Sequence, residues 1–226
     1  MLFVTVSGHT VYLPVLRGKR PTVLDLGGNQ GAFSSWAASS LNANVYVVEA
    51  LPELAEALSK DVRLTVMHAA VGAETGTATI FRSPDRCASV SLNAREPANA
   101  VVIPAITLED LFRNWNLVDL DVLKMDIEGS ELDVLEKTPI GRLQSVGQIT
   151  CEFHDFIDAS HLPAIRRICD RLKSAGFLAI PIAMTTYGDT LFINRNRLAS
   201  PALTTIGCMA YKYLSAMKRF LRRFCP

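Results

Sequence analysis

Several familiar signatures are absent from this 226-residue sequence. Its five cysteines are scattered, and no C-x-x-C pair occurs, which excludes a zinc-finger pattern and argues against a disulfide framework. No run of about 18 apolar residues predicts a transmembrane helix, and the N-terminus lacks the basic and apolar regions of a signal peptide. We therefore expect reduced thiols and a cytoplasmic protein.

Acidic residues are also absent after Asp189, although seven basic residues follow it: Arg195, Arg197, Lys212, Lys218, Arg219, Arg222 and Arg223. The remainder of the chain holds 16 basic and 22 acidic residues, and the net charge of the whole is +1. This balance gives no general attraction to nucleic acid, and we predict no such partner. The asymmetry predicts instead that the basic C-terminal part contacts a surface.

The pattern of elements predicts an α/β fold with a doubly wound, mostly parallel sheet and helices on both faces. Strand-like segments occur at 22–26, 45–49, 62–67, 121–126, 148–153, 177–182 and 190–194, and helical segments at 30–41, 52–59, 107–113, 129–137 and 161–175. Segments 3–6 and 11–13 predict an opening hairpin, 77–81 a short extra strand and 83–99 a loop. We expect one domain over residues 1–200, with the hairpin in 1–20, followed by a helix in 201–226.

The most informative segment is 23–31, which reads VLDLGGNQG. A strand, a glycine-dense loop and a helix N-terminus together form a nucleotide-cofactor cradle. The loop lacks the G-x-G-x-x-G of dinucleotide sites, and Asp25 would repel a pyrophosphate. An acid there suits the ammonium group or ribose hydroxyls of S-adenosylmethionine (SAM), which carries no phosphate.

A second acid supports the same interpretation. Glu49 ends the next predicted strand and follows Asp25 by 24 positions, close to the roughly 20-residue offset of a ribose-binding carboxylate. Each acid alone could be a helix cap or a surface residue, so the prediction depends on the pair.

Further polar residues follow two later strands. Lys124 and Asp126 share one face of the strand at 121–126, which we expect beside the strand ending at Asp25. A lysine there needs an acidic partner, either Asp126 or Asp25. Glu128 follows, either as a residue that lines the crevice or as an acid at a helix N-terminus. His154, after the next strand, is a candidate general base or a structural histidine.

The sequence resembles FkbM-type SAM-dependent methyltransferases over about residues 22–192. Five ordered blocks carry the resemblance: residues 23–31, 48–50, 69–72, 106–111 and 124–131, which read VLDLGGNQG, VEA, AAVG, ITLEDL and KMDIEGSE. The resemblance implies a seven-stranded sheet with an antiparallel last strand, and methyl transfer to an oxygen. A substrate-binding extension of longer relatives is expected to be absent.

The resemblance also assigns residues to the cofactor site. Asp25, Gly27 and Gly31, with the neighbouring Gly28 and Asn29, would shape the methionine and ribose end of the SAM site. Glu49, followed by Ala50, would hold the ribose, and Ala70 and Val71 would border the adenine. Asp126 and Glu128 would line the methyl-transfer end.

The function predicted is O-methylation of a hydroxyl on a small metabolite, a sugar or a lipid-linked substrate. His154 is the first candidate for the base that removes the hydroxyl proton, and Asp126 or Glu128 the next. Acids at this position could hold a divalent ion, but no ligand spacing requires one, and we predict no metal. The alternatives are a non-catalytic SAM-fold adaptor at a membrane surface and, less favoured, an NAD-dependent oxidoreductase.

The segment 209–224 predicts an amphipathic helix. Apolar positions gather on one face at about 100° per residue, and basic positions on the other. Such a helix suits an anionic membrane, which would place the protein peripherally at the inner membrane surface. The alternatives are packing on its own domain or on a second subunit in a homodimer.

Overall fold

The computed structural model describes residues 2–16, 20–83, 86–91 and 100–224. Its strands are Phe3–Val6 (β1), His9–Tyr12 (β2), Thr22–Leu26 (β3), Asn44–Glu49 (β4), Leu64–His68 (β5), Ala70–Val71 (β6), Gly76–Ser83 (β7), Arg86–Ser91 (β8), Ala100–Ile106 (β9), Leu120–Met125 (β10), Val146–Cys151 (β11), Phe177–Pro181 (β12) and Thr190–Asn194 (β13). Its α-helices are Ala32–Ser40 (α1), Pro52–Ser59 (α2), Leu108–Asn114 (α3), Glu131–Lys137 (α4), Ile140–Gln144 (α5), Leu162–Ser174 (α6) and Pro201–Phe224 (α7).

The central sheet has seven strands in the order β12-β13-β11-β10-β3-β4-β5. β13 runs antiparallel to both of its neighbours, and the pairs from β11 to β5 are parallel. Every residue of β10, β11 and β13 is buried, as expected for strands covered on both faces. The predicted mostly parallel α/β sheet with an antiparallel last strand is confirmed.

Local sequence explains where two of the helices begin. Pro52 lies at the first position of α2, where its missing N–H costs no hydrogen bond. Thr107 caps α3 by accepting a hydrogen bond from the Asp110 N–H at 3.1 Å, as its position in the sequence predicts. Both helices therefore start close to their predicted first residues.

A second sheet has the strand order β6-β9-β7-β8. The predicted extra strand at 77–81 is part of β7, which pairs antiparallel with β9. The loop predicted over 83–99 is wrong for β8, because its backbone pairs with β7. The rest of that prediction, at 84–85 and 92–99, lies outside the described residues.

The N-terminal hairpin packs against the central sheet. Ser7 and Gly8 both have positive φ, 47° and 83°, which suits a two-residue hairpin turn. The backbone N–H of Tyr12 donates to Gln148 Oε1 at 2.8 Å, and Gln148 Nε2 donates to the Tyr12 carbonyl at 3.2 Å. The predicted hairpin is correct, but His9 begins β2 instead of belonging to the turn.

The C-terminal helix α7 has 24 residues, so it begins eight residues before the predicted 209–224 segment. Thr204 and Cys208 are buried, and the ring of Tyr211 stacks on Phe3 with 4.6 Å between centroids. Within the described ranges, none of the helices combines the length and apolarity needed to cross a bilayer.

Candidate functional site

The glycine loop after β3 leaves no room for side chains. Gly27 and Gly31 both have φ of 80°, a conformation that favours glycine. A Cβ at Gly27 would lie 1.8 Å from the carbonyl oxygen of Asp126, and one at Gly31 would lie 2.5 Å from Leu58 Cδ2. A Cβ at Gly28 would lie 2.4 Å from a methyl group of Val47. The loop therefore packs directly on its neighbours, and α1 begins at once behind it.

Asp25 lies behind this loop, at the centre of the sheet. The residue is 0% exposed; its carboxylate accepts a hydrogen bond from Ser34 Oγ and forms an ion pair with Lys124 Nζ at 3.0 Å. Burial alone would lower the pKa of Lys124, but Asp25 and Asp126 outweigh it and raise that pKa, so the ammonium form persists. The expected pairing of Lys124 is confirmed. The described contacts of Asp25 are with the protein, and its contact with SAM stays a prediction.

Glu49 lies at the end of β4 and is 4% exposed. Its two carboxylate oxygens accept backbone N–H groups, Oε2 from Asn29 at 2.7 Å and Oε1 from Leu51 at 2.8 Å. Burial raises the pKa of Glu49, and the two backbone hydrogen bonds partly oppose that shift. Because a carboxylate has about four acceptor sites, Glu49 keeps capacity for two ribose hydroxyls.

A cleft of about 590 Å³, including its open mouth, lies beside Glu49. Its lining contains eight of the predicted site residues: Gly27, Asn29, Glu49, Ala50, Ala70, Val71, Asp126 and Glu128. An adjoining cleft is lined by Gly28, Lys124, Asp126 and His9, among others. Apolar walls beside a buried carboxylate suit the base and ribose of a nucleoside, so the residues present fit the adenosine part of SAM.

The loop between β10 and α4 forms the wall at the other end of the cleft. Glu131 holds the loop by accepting hydrogen bonds from the backbone N–H groups of Ile127 at 2.7 Å and Gly129 at 3.0 Å. Glu128 has φ of 55° within it. Burial raises the pKa of Glu128, and this favours proton uptake by its carboxyl group.

His154 stands next to this wall, with Nε2 3.4 Å from Glu128 Oε2 and Nδ1 3.7 Å from Glu131 Oε1. Burial would lower the pKa of His154, but the carboxylates of Glu131, Glu128 and Asp126 outweigh it and raise that pKa to about 9. The imidazole is therefore protonated at neutral pH in the free protein. Of the His154–Glu128 pair, Glu128 is the member that can accept a proton in this state.

His9 was not among the predicted residues of the site. His9 is 0% exposed and has Nε2 3.5 Å from Asp126 Oδ2. Gly8 faces Glu152, because a Cβ there would lie 3.8 Å from Glu152 Oε2. His9 is separated from Asp126 by more than a hundred positions, and no local pattern in the sequence marks it as a site residue.

The fold and the cleft define a class of α/β domains that bind a nucleotide cofactor at the carboxyl ends of parallel strands. Residues 25–179 match the methyltransferase FkbM domain, and the chain belongs to this family. Its cofactor is therefore SAM.

Individual relatives are more distant. The chain is 27% identical over 137 residues to the hexuronic acid methyltransferase AglP of Haloferax volcanii, covering 59% of this chain and 56% of that protein. The chain therefore spans little more than half the length of this curated relative. Similar solved structures include the human methyltransferase 10 domain containing protein (TM-score 0.47, 10% identity, 78% of this chain and 72% of the other). Another is a putative caffeoyl-CoA O-methyltransferase from Staphylococcus aureus (TM-score 0.45, 11% identity, 77% and 76%).

The first prediction concerns stability. Asp25→Ala leaves the ammonium of Lys124 without its nearest carboxylate, and breaking a buried pair costs ~3–5 kcal/mol. We expect a loss of this size in the free energy of unfolding, measured by urea denaturation without ligand. Asp133→Ala, at an exposed acid of α4, is the control and should change little. Equal stability of Asp25→Ala and the wild type would contradict the structural role of the pair.

The second prediction concerns the cofactor. Glu49→Ala removes charge-assisted hydrogen bonds worth roughly 1.5–3 kcal/mol, so SAM affinity should fall about tenfold to a hundredfold. Isothermal titration calorimetry measures this directly. Glu56→Ala, at an exposed position of α2, should bind SAM like the wild type. A folded Glu49→Ala variant with unchanged affinity would remove Glu49 from the ribose site.

Proposed function

We propose that this chain is a SAM-dependent O-methyltransferase whose acceptor is a hydroxyl group of a sugar, a small metabolite or a lipid-linked substrate. One observation carries the proposal: Asp126 and Glu128 line the cofactor cleft and also belong to the polar group around His154. An acceptor bound there would lie beside the end of the cofactor cleft that the family resemblance assigns to methyl transfer.

SAM supplies an already activated methyl group, so the protein has to hold, orient and deprotonate the acceptor. Glu49 and the glycine loop hold the nucleoside side of the cleft. Asp126 and Glu128 accept hydrogen bonds from the acceptor and orient its hydroxyl oxygen. The Glu128–His154 pair, 3.4 Å apart, takes up the hydroxyl proton.

The chemistry of this wall favours a polyhydroxylated acceptor. Carboxylates accept hydrogen bonds from hydroxyl groups, whereas they repel an acceptor that is itself anionic. AglP is named for a hexuronic acid, which supports a sugar-type acceptor here. AglP therefore supports the sugar class of the acceptor, while the acidic wall favours a sugar without a carboxylate of its own.

The function is tested by incubating the purified protein with radiolabelled SAM and a glycan and lipid extract. Transfer of label to a glycan is the expected result. Calorimetric titration with NAD tests the oxidoreductase alternative, which the missing G-x-G-x-x-G disfavours. SAM binding without transfer to any fraction would favour a non-catalytic adaptor.

The third prediction concerns proton transfer. His154→Ala should lower turnover at saturating SAM by about 10²–10⁴, the usual contribution of acid–base groups, with little change in SAM affinity. His161→Ala, at a histidine with a 40% exposed side chain, is the control. If SAM affinity collapses while turnover survives, His154 belongs to the cofactor site and does not assist Glu128 in proton transfer.

A further inference from the structure

Although the sequence predicts no metal, we infer from the structure that His9, Asp126 and Glu152 form a binding site for a divalent metal ion. One ligand atom from each residue lies within 4.8 Å of the others. His9 Nε2 and Asp126 Oδ2 are 3.5 Å apart, which is too long for a good hydrogen bond. Two ligands that bind one ion at about 2.1 Å each lie ~3.0–3.5 Å apart, so the observed spacing suits a shared ion.

The orientation of His9 supports this site independently of the acids. Its Nδ1 lies 3.5 Å from the hydroxyl oxygen of Thr150, so a polar group stands beside the second ring nitrogen, as it commonly does for a metal-binding histidine. Nε2 is buried and has no hydrogen-bond partner in the described part of the chain. With the proton on Nδ1, the lone pair of Nε2 faces the carboxylate of Asp126. In that tautomer a cation between the two groups would remove their repulsion, whereas the tautomer with the proton on Nε2 faces Asp126 as a donor.

Lys124 leaves Asp126 with capacity for such a cation. Its Nζ forms the ion pair with Asp25 and donates to the carbonyls of Leu26 and Gly27. Its distance to Asp126 Oδ2 is 3.8 Å, beyond hydrogen bonding. All three ammonium hydrogens thus have partners elsewhere, and the lysine only partly neutralises Asp126.

One imidazole and two carboxylates suit a transition ion such as Mn²⁺ or Zn²⁺ better than Mg²⁺, which prefers oxygen ligands alone. Three protein ligands leave coordination positions open for an oxygen of the acceptor. An ion there would orient that oxygen and lower the pKa of its hydroxyl group. Its positive charge would also reduce the repulsion between the acidic wall and a sugar that carries a carboxylate. This role rests on the proposed function, whereas the binding of the ion does not.

The test uses the full chain after treatment with EDTA and removal of the chelator. Titration with Mn²⁺, followed by calorimetry and electron paramagnetic resonance, should show one bound ion per chain. His9→Ala and Glu152→Gln should each weaken Mn²⁺ binding about tenfold or more. The matched controls are His161→Ala, at a histidine with a 40% exposed side chain, and Glu136→Gln, at an exposed position; both should bind like the wild type. Thermal unfolding in EDTA verifies that each variant is folded. If His9→Ala fails to fold, Glu152→Gln still tests the site, because Glu152 is only half-buried.

The outcomes separate the ion site from the proposed function. Absence of Mn²⁺ binding, or equal binding by wild type and a folded Glu152→Gln variant, overturns the site. Turnover that continues unchanged in EDTA, with no ion detected by calorimetry, also overturns it while the proposed function stands. If Mn²⁺ binds with the expected variant effects but no methyl transfer occurs, the ion site stands and the proposed function fails.

A second, independent observation concerns α7. The side chains Leu203, Ile206, Met209, Tyr213, Leu214 and Met217 are between 43% and 70% exposed, and we name them the apolar stripe. At about 100° per residue, most of the stripe lies opposite Thr204 and Cys208, through which the helix packs on the domain. The apolar face therefore does not cover the domain core.

We propose that the apolar stripe docks on an anionic membrane surface. The helix sequence contains Lys212, Lys218, Arg219, Arg222 and Arg223 and no acid. In the sequence, helical spacing puts these basic positions opposite the apolar positions of the stripe. A helix that lies in a membrane interface has this arrangement, with apolar groups below and basic groups at the level of the headgroups.

Co-sedimentation of the full chain with phosphatidylglycerol-containing vesicles tests this proposal, with phosphatidylcholine vesicles in parallel. The double variant Leu214→Ser/Met217→Ser should lose about tenfold or more of its binding to the anionic vesicles. The control Val62→Ser/Val118→Ser changes residues that are 96% and 80% exposed elsewhere and should bind like the wild type. Equal binding by the two double variants, or no binding by the wild type, overturns the proposal. Size-exclusion chromatography that shows a dimer lost in Leu214→Ser/Met217→Ser, without vesicle binding, assigns the stripe to a second copy and also overturns it.

Discussion

The ammonium group of Lys124 joins the parts of the molecule on which the cleft depends. It lies within the central strand β10 and is almost fully buried, so it can remain charged only with close partners. Those partners are Asp25 on β3 and the backbone carbonyls of Leu26 and Gly27. One buried charge thereby ties the glycine loop to the neighbouring strand.

The same topology concentrates negative charge. Parallel strands present their carboxyl ends at one edge, so the acids at or near the ends of β3, β4, β10 and β11 meet there. Burial raises the pKa of Glu49, Glu128 and Glu152, a sign that these carboxylates lack full compensation. A cofactor with a sulfonium and an ammonium group is favoured by such an edge, whereas a pyrophosphate is disfavoured. Charge as well as loop shape therefore explains why a strand–glycine–helix unit here serves SAM.

Local patterns predicted most of the strands and helices, and eight of the predicted site residues line one cleft. Segments 22–26, 52–59 and 190–194 coincide with β3, α2 and β13, because a periodic apolar pattern or a proline marks them. The sequence left the partner of Lys124 open between Asp25 and Asp126, because only the register of β3 against β10 decides which carboxylate lies nearer. His9 was missed for a similar reason, since the packing of the hairpin on β11 is a tertiary contact without a local signal. β8 escaped prediction because its pairing with β7 carries no hydrophobic period.

The N-terminal hairpin links the site to the C-terminal helix. On one side His9 faces Asp126 across 3.5 Å, and on the other Phe3 stacks on Tyr211, whose hydroxyl is 2.8 Å from Thr5 Oγ1. Since β1 and β2 are paired along their full length, a displacement of α7 would be transmitted to His9 through only one pair of strands. A surface that holds α7 would thus also constrain the hairpin that closes the acceptor side of the site.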